Sequence, residues 1–94
     1  MRRCYIVSYD ICDPKRLRKM HKKLLGFGDR LQLSVFRCDL NAKERVLLQK
    51  SLLETMNQKE DLVMVIDLGP SDAADCFEFL GRTLLTSDRK PVIV

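Results

Sequence analysis

An α+β fold is predicted by three observations on this sequence. Stretches rich in β-branched and aromatic residues alternate with stretches whose apolar residues recur every three or four positions, the two periods that mark strands and helices. Their order along the chain reads strand, helix, strand, strand, helix, strand. The 94 residues are 46% hydrophobic and 32% charged, the balance of a globular chain long enough for one domain, 1–94, with a thin core.

The first strand is Tyr5-Ile6-Val7-Ser8-Tyr9-Asp10-Ile11. Alternation places Tyr5, Val7, Tyr9 and Ile11 on one face and Cys4, Ile6, Ser8 and Asp10 on the other. The larger set is expected to meet the helices. Asp13-Pro14 then starts a helix, since Asp caps a free backbone N–H and Pro at the first helical position needs none. Leu17, Met20, His21, Leu24 and Leu25 form its apolar stripe. Gly26 and Gly28 are expected to end it, glycine taking a left-handed cap readily.

Residues 30–40 are extended, either as one bent strand or as two short strands with a tight turn near Ser34. The overall order favours two. Asn41-Ala42-Lys43-Glu44 resembles a capping box for a second helix, with Leu48, Leu52, Leu53 and Met56 inward and an end near Asn57. Asp61 to Leu68 is a strand whose apolar residues scarcely alternate, as in strands covered on both faces. Gly69 to Asp72 reads as a turn, Cys76 to Gly81 as a short strand or helical turn, and Thr86 to Lys90 as a polar loop before the apolar Pro91-Val92-Ile93-Val94.

This is the split βαβ, or ferredoxin-like, arrangement: an antiparallel sheet with two helices on one face and an extra C-terminal strand. Two helices leave the other face to a partner, and a homodimer is the commonest solution. The tail, about 86–94, either adds to the partner's sheet edge, packs on its own protomer, or frays.

No apolar run reaches the length of a membrane span, and the one after Arg2-Arg3 is too short for a signal peptide. The chain is expected to be soluble and cytoplasmic. Cys4, Cys12, Cys38 and Cys76 show neither metal-ligand spacing nor a secretory context, so they are expected to be buried and reduced. His21 is the only histidine, which disfavours a Ser–His–Asp set, and no Gly-rich phosphate loop is present.

Charge is segregated. Residues 1–37 carry ten basic and three acidic residues, net +7, while the remainder is net −3. The first helix holds Lys15, Arg16, Arg18, Lys19, Lys22 and Lys23 with no acid among them. Like charges three or four apart repel, and a phosphate backbone would offset that cost. The alternative is a solvated face. Arg2, Arg3, Arg30 and Arg37 could extend such a patch. Tyr9, Phe27 and Phe36 could stack on bases, but they fit a core better.

Asp10 closes the first strand directly before a loop, a common place for functional residues. On spacing alone it either ends the strand by bonding nearby backbone or stands at a dimer interface. In the second case, two copies across a two-fold axis hold one Mg²⁺ or Mn²⁺ that serves phosphodiester cleavage.

Tyr9-Asp10-Ile11, Lys15-Arg16, Gly28-Asp29-Arg30-Leu31-Gln32 and Ser34-Val35-Phe36 together resemble a small CRISPR-associated protein family. It is the second member of the Cas series, which partners the CRISPR integrase in spacer acquisition. Glu60-Asp61-Leu62-Val63, the length and the apolar tail fit as well, while Leu31 and Leu33 depart from the residues common there. The resemblance implies a ferredoxin-like homodimer with Mg²⁺-dependent endonuclease activity on RNA or DNA and Asp10 as metal ligand. It also implies a bridge between integrase dimers in which basic residues hold a DNA duplex. Tyr9, Arg16, Arg18, Arg30, Ser34 and Phe36 fall where functional or motif residues of the family lie. Two rival readings are a non-catalytic DNA-binding scaffold for the integrase and a small RNA-binding or toxin-like nuclease on the same fold.

Overall fold

A computed structural model describes residues 1–71 and 77–82. The elements run β1 (Arg3–Asp10), α1 (Pro14–Leu25), β2 (Asp29–Gln32), β3 (Val35–Leu40), α2 (Ala42–Thr55) and β4 (Leu62–Pro70). The sheet order is β2-β3-β1-β4, with every neighbouring pair antiparallel. The ferredoxin-like α+β expectation is met, and residues 30–40 do divide into two strands, at Leu33-Ser34.

The core lies between one sheet face and the two helices. Tyr5, Val7, Tyr9 and Ile11 from the first strand region meet Phe36, Cys38 and Leu40 from β3, Met20 and Leu24 from α1, and Leu48 and Leu52 from α2. Phe36, Met20, Leu24, Leu48 and Val7 are fully buried, and each such side chain contributes about 1.5–3 kcal/mol of transfer free energy. Alternation along β1 therefore runs as the sequence predicts, and Asp10 stands on the face away from the helices.

Both helix starts follow their capping signals. Asp13 accepts from the Arg16 N–H at 2.9 Å with Pro14 in the first turn, and Asn41 and Glu44 close a reciprocal capping box. Other expectations need correction. Gly26 caps α1 in the right-handed region (φ −77°), so no left-handed turn is used there. Gly28 is required for a different reason: a Cβ on it would strike the Arg37 carbonyl and approach Cys38 Sγ to 2.8 Å. Leu17 and Leu25 are exposed rather than part of the buried stripe, and Leu53 is exposed while Met56 packs on the core. Cys4 and Cys38 are buried, but Cys12 is exposed at the loop before α1.

β4 begins at Leu62 and runs to Pro70, whose missing N–H is tolerated because β4 is an edge strand. Val63 and Val65 pack on the core, while Leu62, Met64 and Ile66 remain 67%, 51% and 39% exposed on the opposite face. Among the described residues, the second cover expected for this strand is thus missing. Over β3, that same face is partly covered by residues 77–82: the Arg37 guanidinium lies 5.2 Å from the Phe77 ring centroid, and Phe77 stacks on Phe79. Residues 77–80 adopt neither strand nor helix. Cys76 and the tail 86–94 lie outside the described residues.

Candidate active site and nucleic-acid interface

Asp10 is exposed at the last position of β1. Its Cα partner on β4 is Leu62. The strand end beneath it is held by the β2–β3 hairpin tip: the Tyr9 N–H donates to the Ser34 carbonyl at 3.1 Å, and the Tyr9 hydroxyl donates to the Leu33 carbonyl at 3.3 Å. Tyr9 is buried and stacks on Phe36 at 6.2 Å. Burial raises the Tyr9 phenol, with Arg30 opposing, so it stays a neutral donor near pH 7. Tyr9, Ser34 and Phe36 thus support the strand end from within, and neither ring is free to stack on a base.

A divalent cation needs several oxygen ligands. Among the described residues no group of three or more His, Cys, Asp or Glu side chains is placed to hold one. Asp10 supplies a single carboxylate, so the described residues of one chain do not by themselves complete a metal site. That carboxylate stands on the same sheet face as exposed Leu62, Met64 and Ile66.

The cations divide into two groups. Lys15, Arg18, Lys19, Lys22 and Lys23 are exposed along α1 and form no ion pair among the described residues. Arg18, Lys22 and Arg30 flank one groove of about 700 Å³, which Tyr9, Asp10, His21, Leu17, Leu25, Leu33 and Ser34 also line. Lys19, Lys22 and Lys23 face a second groove, of about 770 Å³, bounded by Glu54 and Thr55 of α2. Helical rotation thus presents the basic residues on both flanks of α1, with Lys22 shared. His21 packs edge-on to Phe36 at 5.5 Å, and burial followed by Arg30 lowers its pKa.

Other arginines are already occupied by acids. Arg2 pairs with Glu44 at 2.9 Å, Arg3 with Asp67 at 3.1 Å, and Arg37 with Asp39 at 3.6 Å. Arg16 is held most fully. Its Nε reaches Asp61 Oδ2 at 2.8 Å, and its Nη2 reaches Asp61 Oδ1 at 3.2 Å and Glu60 Oε1 at 3.1 Å. The Asp61 side chain is fully buried and also accepts from the Asn57 N–H at 2.8 Å. The Arg16 guanidinium beside it holds the Asp61 carboxyl below the usual carboxylate range. Arg16 lines the second groove with Lys19, Lys22 and Lys23, and unlike them it is already paired with acids.

Asp61 is the residue whose role sequence reasoning missed, having been read as the start of a strand and as part of the Glu60-Asp61-Leu62-Val63 match. The available signal was an uncompensated arginine on α1 and an acidic pair, Glu60-Asp61, just before β4. Asn57 builds the turn that presents this pair, its side chain accepting from the Lys59 and Glu60 N–H groups.

Comparison with known proteins is consistent with this geometry. A family model described as CRISPR associated protein Cas2 matches residues 2–75. The chain is 39% identical over 95 residues to the CRISPR-associated endoribonuclease Cas2 of Geobacter sulfurreducens, covering 100% of both chains. It is 38% identical over 91 residues to CRISPR-associated endoribonuclease Cas2 1 of Rhodospirillum rubrum, covering 96% of this chain and 89% of that one. Among solved structures, Streptococcus pyogenes Cas2 at pH 6.5 superposes with a TM-score of 0.74 and 31% identity, covering 83% of this chain and 99% of that one.

Proposed function

Because the chain belongs to the CRISPR associated protein Cas2 family, we propose that it serves CRISPR adaptation as a metal-dependent endonuclease acting on RNA or DNA at Asp10. The observation that carries this reading is the place of Asp10: an exposed carboxylate at a rigidly held strand end, beside a groove flanked by Arg18, Lys22 and Arg30. The working unit is a homodimer that buries Leu62, Met64 and Ile66 and brings two Asp10 carboxylates together, since the described residues of one chain offer too few ligands. A Mg²⁺ or Mn²⁺ ion held by that pair would neutralise phosphate charge and activate water. Lys15, Arg18, Lys19, Lys22, Lys23 and Arg30 bind and orient the nucleic-acid backbone. The dimer works in the cytoplasm with the CRISPR integrase. Among the described residues no helix is long and apolar enough to cross a membrane.

The test is incubation of the purified chain with end-labelled RNA and DNA in Mg²⁺ and in EDTA. Cleavage in Mg²⁺ alone, lost in Asp10→Ala, supports the reading. Cleavage by Asp10→Ala at the wild-type rate removes Asp10 from catalysis. That Asp10 stands as a lone carboxylate among the described residues of the site favours a second reading, a non-catalytic DNA-binding scaffold bridging integrase dimers. On that reading the protein binds duplex and integrase and cuts nothing.

A further inference from the structure

Five short links form a closed ring around the loop that follows Asp10. Ile11 and Cys12 join Asp10 to Asp13. Asp13 accepts from the Arg16 N–H at 2.9 Å. Arg16 grips Asp61 through two bonds, at 2.8 and 3.2 Å. Asp61 is bonded covalently to Leu62, and Leu62 stands opposite Asp10 in the β1–β4 register. Ile11 plugs the ring from the core side at 6% exposure.

We propose that Arg16 and Asp61 are positioning residues for Asp10: their two-bond pair pins the start of α1 to the start of β4 and thereby fixes where the Asp10 carboxylate stands. The inference rests on the reading of Asp10 as the reacting-site ligand. Withdrawing Arg16 Nε and Nη2 to serve a phosphate would leave the fully buried Asp61 side chain with only the Asn57 N–H as partner, and breaking a buried pair is strongly unfavourable. Lysine would keep the charge but lose the planar fork that meets both carboxylate oxygens. A positioning role and a phosphate-contact role therefore respond in opposite ways to the same substitutions.

The experiment compares full-length wild type, Arg16→Lys, Arg16→Gln, Asp61→Asn and Asp10→Ala, each checked for fold by circular dichroism, on the labelled RNA and DNA above. For Arg16→Lys and Asp61→Asn, kcat is expected to fall about 10- to 100-fold, the cost of misplacing a reacting group by a fraction of an ångström to an ångström. KM should stay within about twofold, and the slope of log Kd against log salt should not change. Amide hydrogen exchange at residues 10–13 and 61–63 should quicken in Asp61→Asn, whether or not the protein cleaves. The proposal is overturned if Arg16→Lys retains wild-type kcat while Arg16→Gln lowers the salt slope by about one, the mark of a phosphate contact. It is equally overturned if Asp61→Asn tightens nucleic-acid binding by freeing Arg16, or leaves exchange at these residues unchanged. Wild-type cleavage by Asp10→Ala instead sinks the catalytic reading of Asp10, and the exchange measurement alone then decides whether the ring holds the loop.

Discussion

Asp10 and Leu62 face each other across the β1–β4 ladder, so the carboxylate of the proposed site stands directly beside an exposed leucine. The pairing joins two properties on one surface: a charge in need of company and an apolar strip in need of cover.

That strip predicts the oligomeric state. Wild type should behave as a dimer by light scattering at micromolar concentration, and Met64→Asp should be a monomer. A carboxylate buried in the interface costs several kcal/mol, enough to weaken association by more than about 100-fold. A monomeric wild type would disprove the shared face.

The unpaired lysines predict salt-dependent binding. Lys22→Glu combined with Lys23→Glu should weaken duplex binding and flatten its dependence on salt, because each phosphate contact contributes about 0.9 to the slope. Unchanged affinity at low salt would leave α1 as a solvated face.

Gly28 predicts a packing penalty. In Gly28→Ala the added methyl meets the Arg37 carbonyl and Cys38 Sγ, and backbone cannot yield as a flexible side chain can. The expected loss is about 1–3 kcal/mol, which lowers Tm by roughly 4–8 °C for each kcal/mol in a domain of this size. Gly26→Ala, at a right-handed φ with its nearest contact at 3.3 Å, should cost clearly less.

His21 predicts a pH dependence of stability. Burial first, then Arg30, lowers its pKa in the fold, so the unfolded chain takes up a proton more readily. The sign follows: there is no penalty above the unfolded value of about 6.5, and stability falls as pH drops below it toward the folded value. Urea midpoints taken between pH 7.5 and 5 should show this decline, and His21→Gln should reduce it. An identical decline in the variant would place the titration elsewhere.

Where the information is local, the sequence reads well. Asp13-Pro14 and Asn41 through Glu44 announce both helix starts because capping involves neighbours within one turn. The hairpin at Leu33-Ser34 follows from the need for two strands between the helices. What escaped depends on partners far along the chain. The fate of Arg16 is decided by Asp61, 45 residues later, and the need for Gly28 arises from the approach of β3. Leu53 looked inward by spacing, but Leu48, Leu52 and Met56 already fill the inner side of α2. For the site, Asp10 was legible as a strand-end carboxylate, whereas the basic set contained one arginine whose charge was already satisfied.

The sheet order has a consequence for how the molecule comes into being. β1 is made first, yet its two neighbours are β3 and β4, and β4 leaves the ribosome last of the four strands. Asp10 therefore spends most of synthesis without the strand that positions it. Pairings this distant in sequence close slowly, since loop entropy must be overcome before the contact forms. A nascent or truncated chain ending before Leu62 would carry the carboxylate but no site, so assembly of the proposed nuclease waits on the translation of β4.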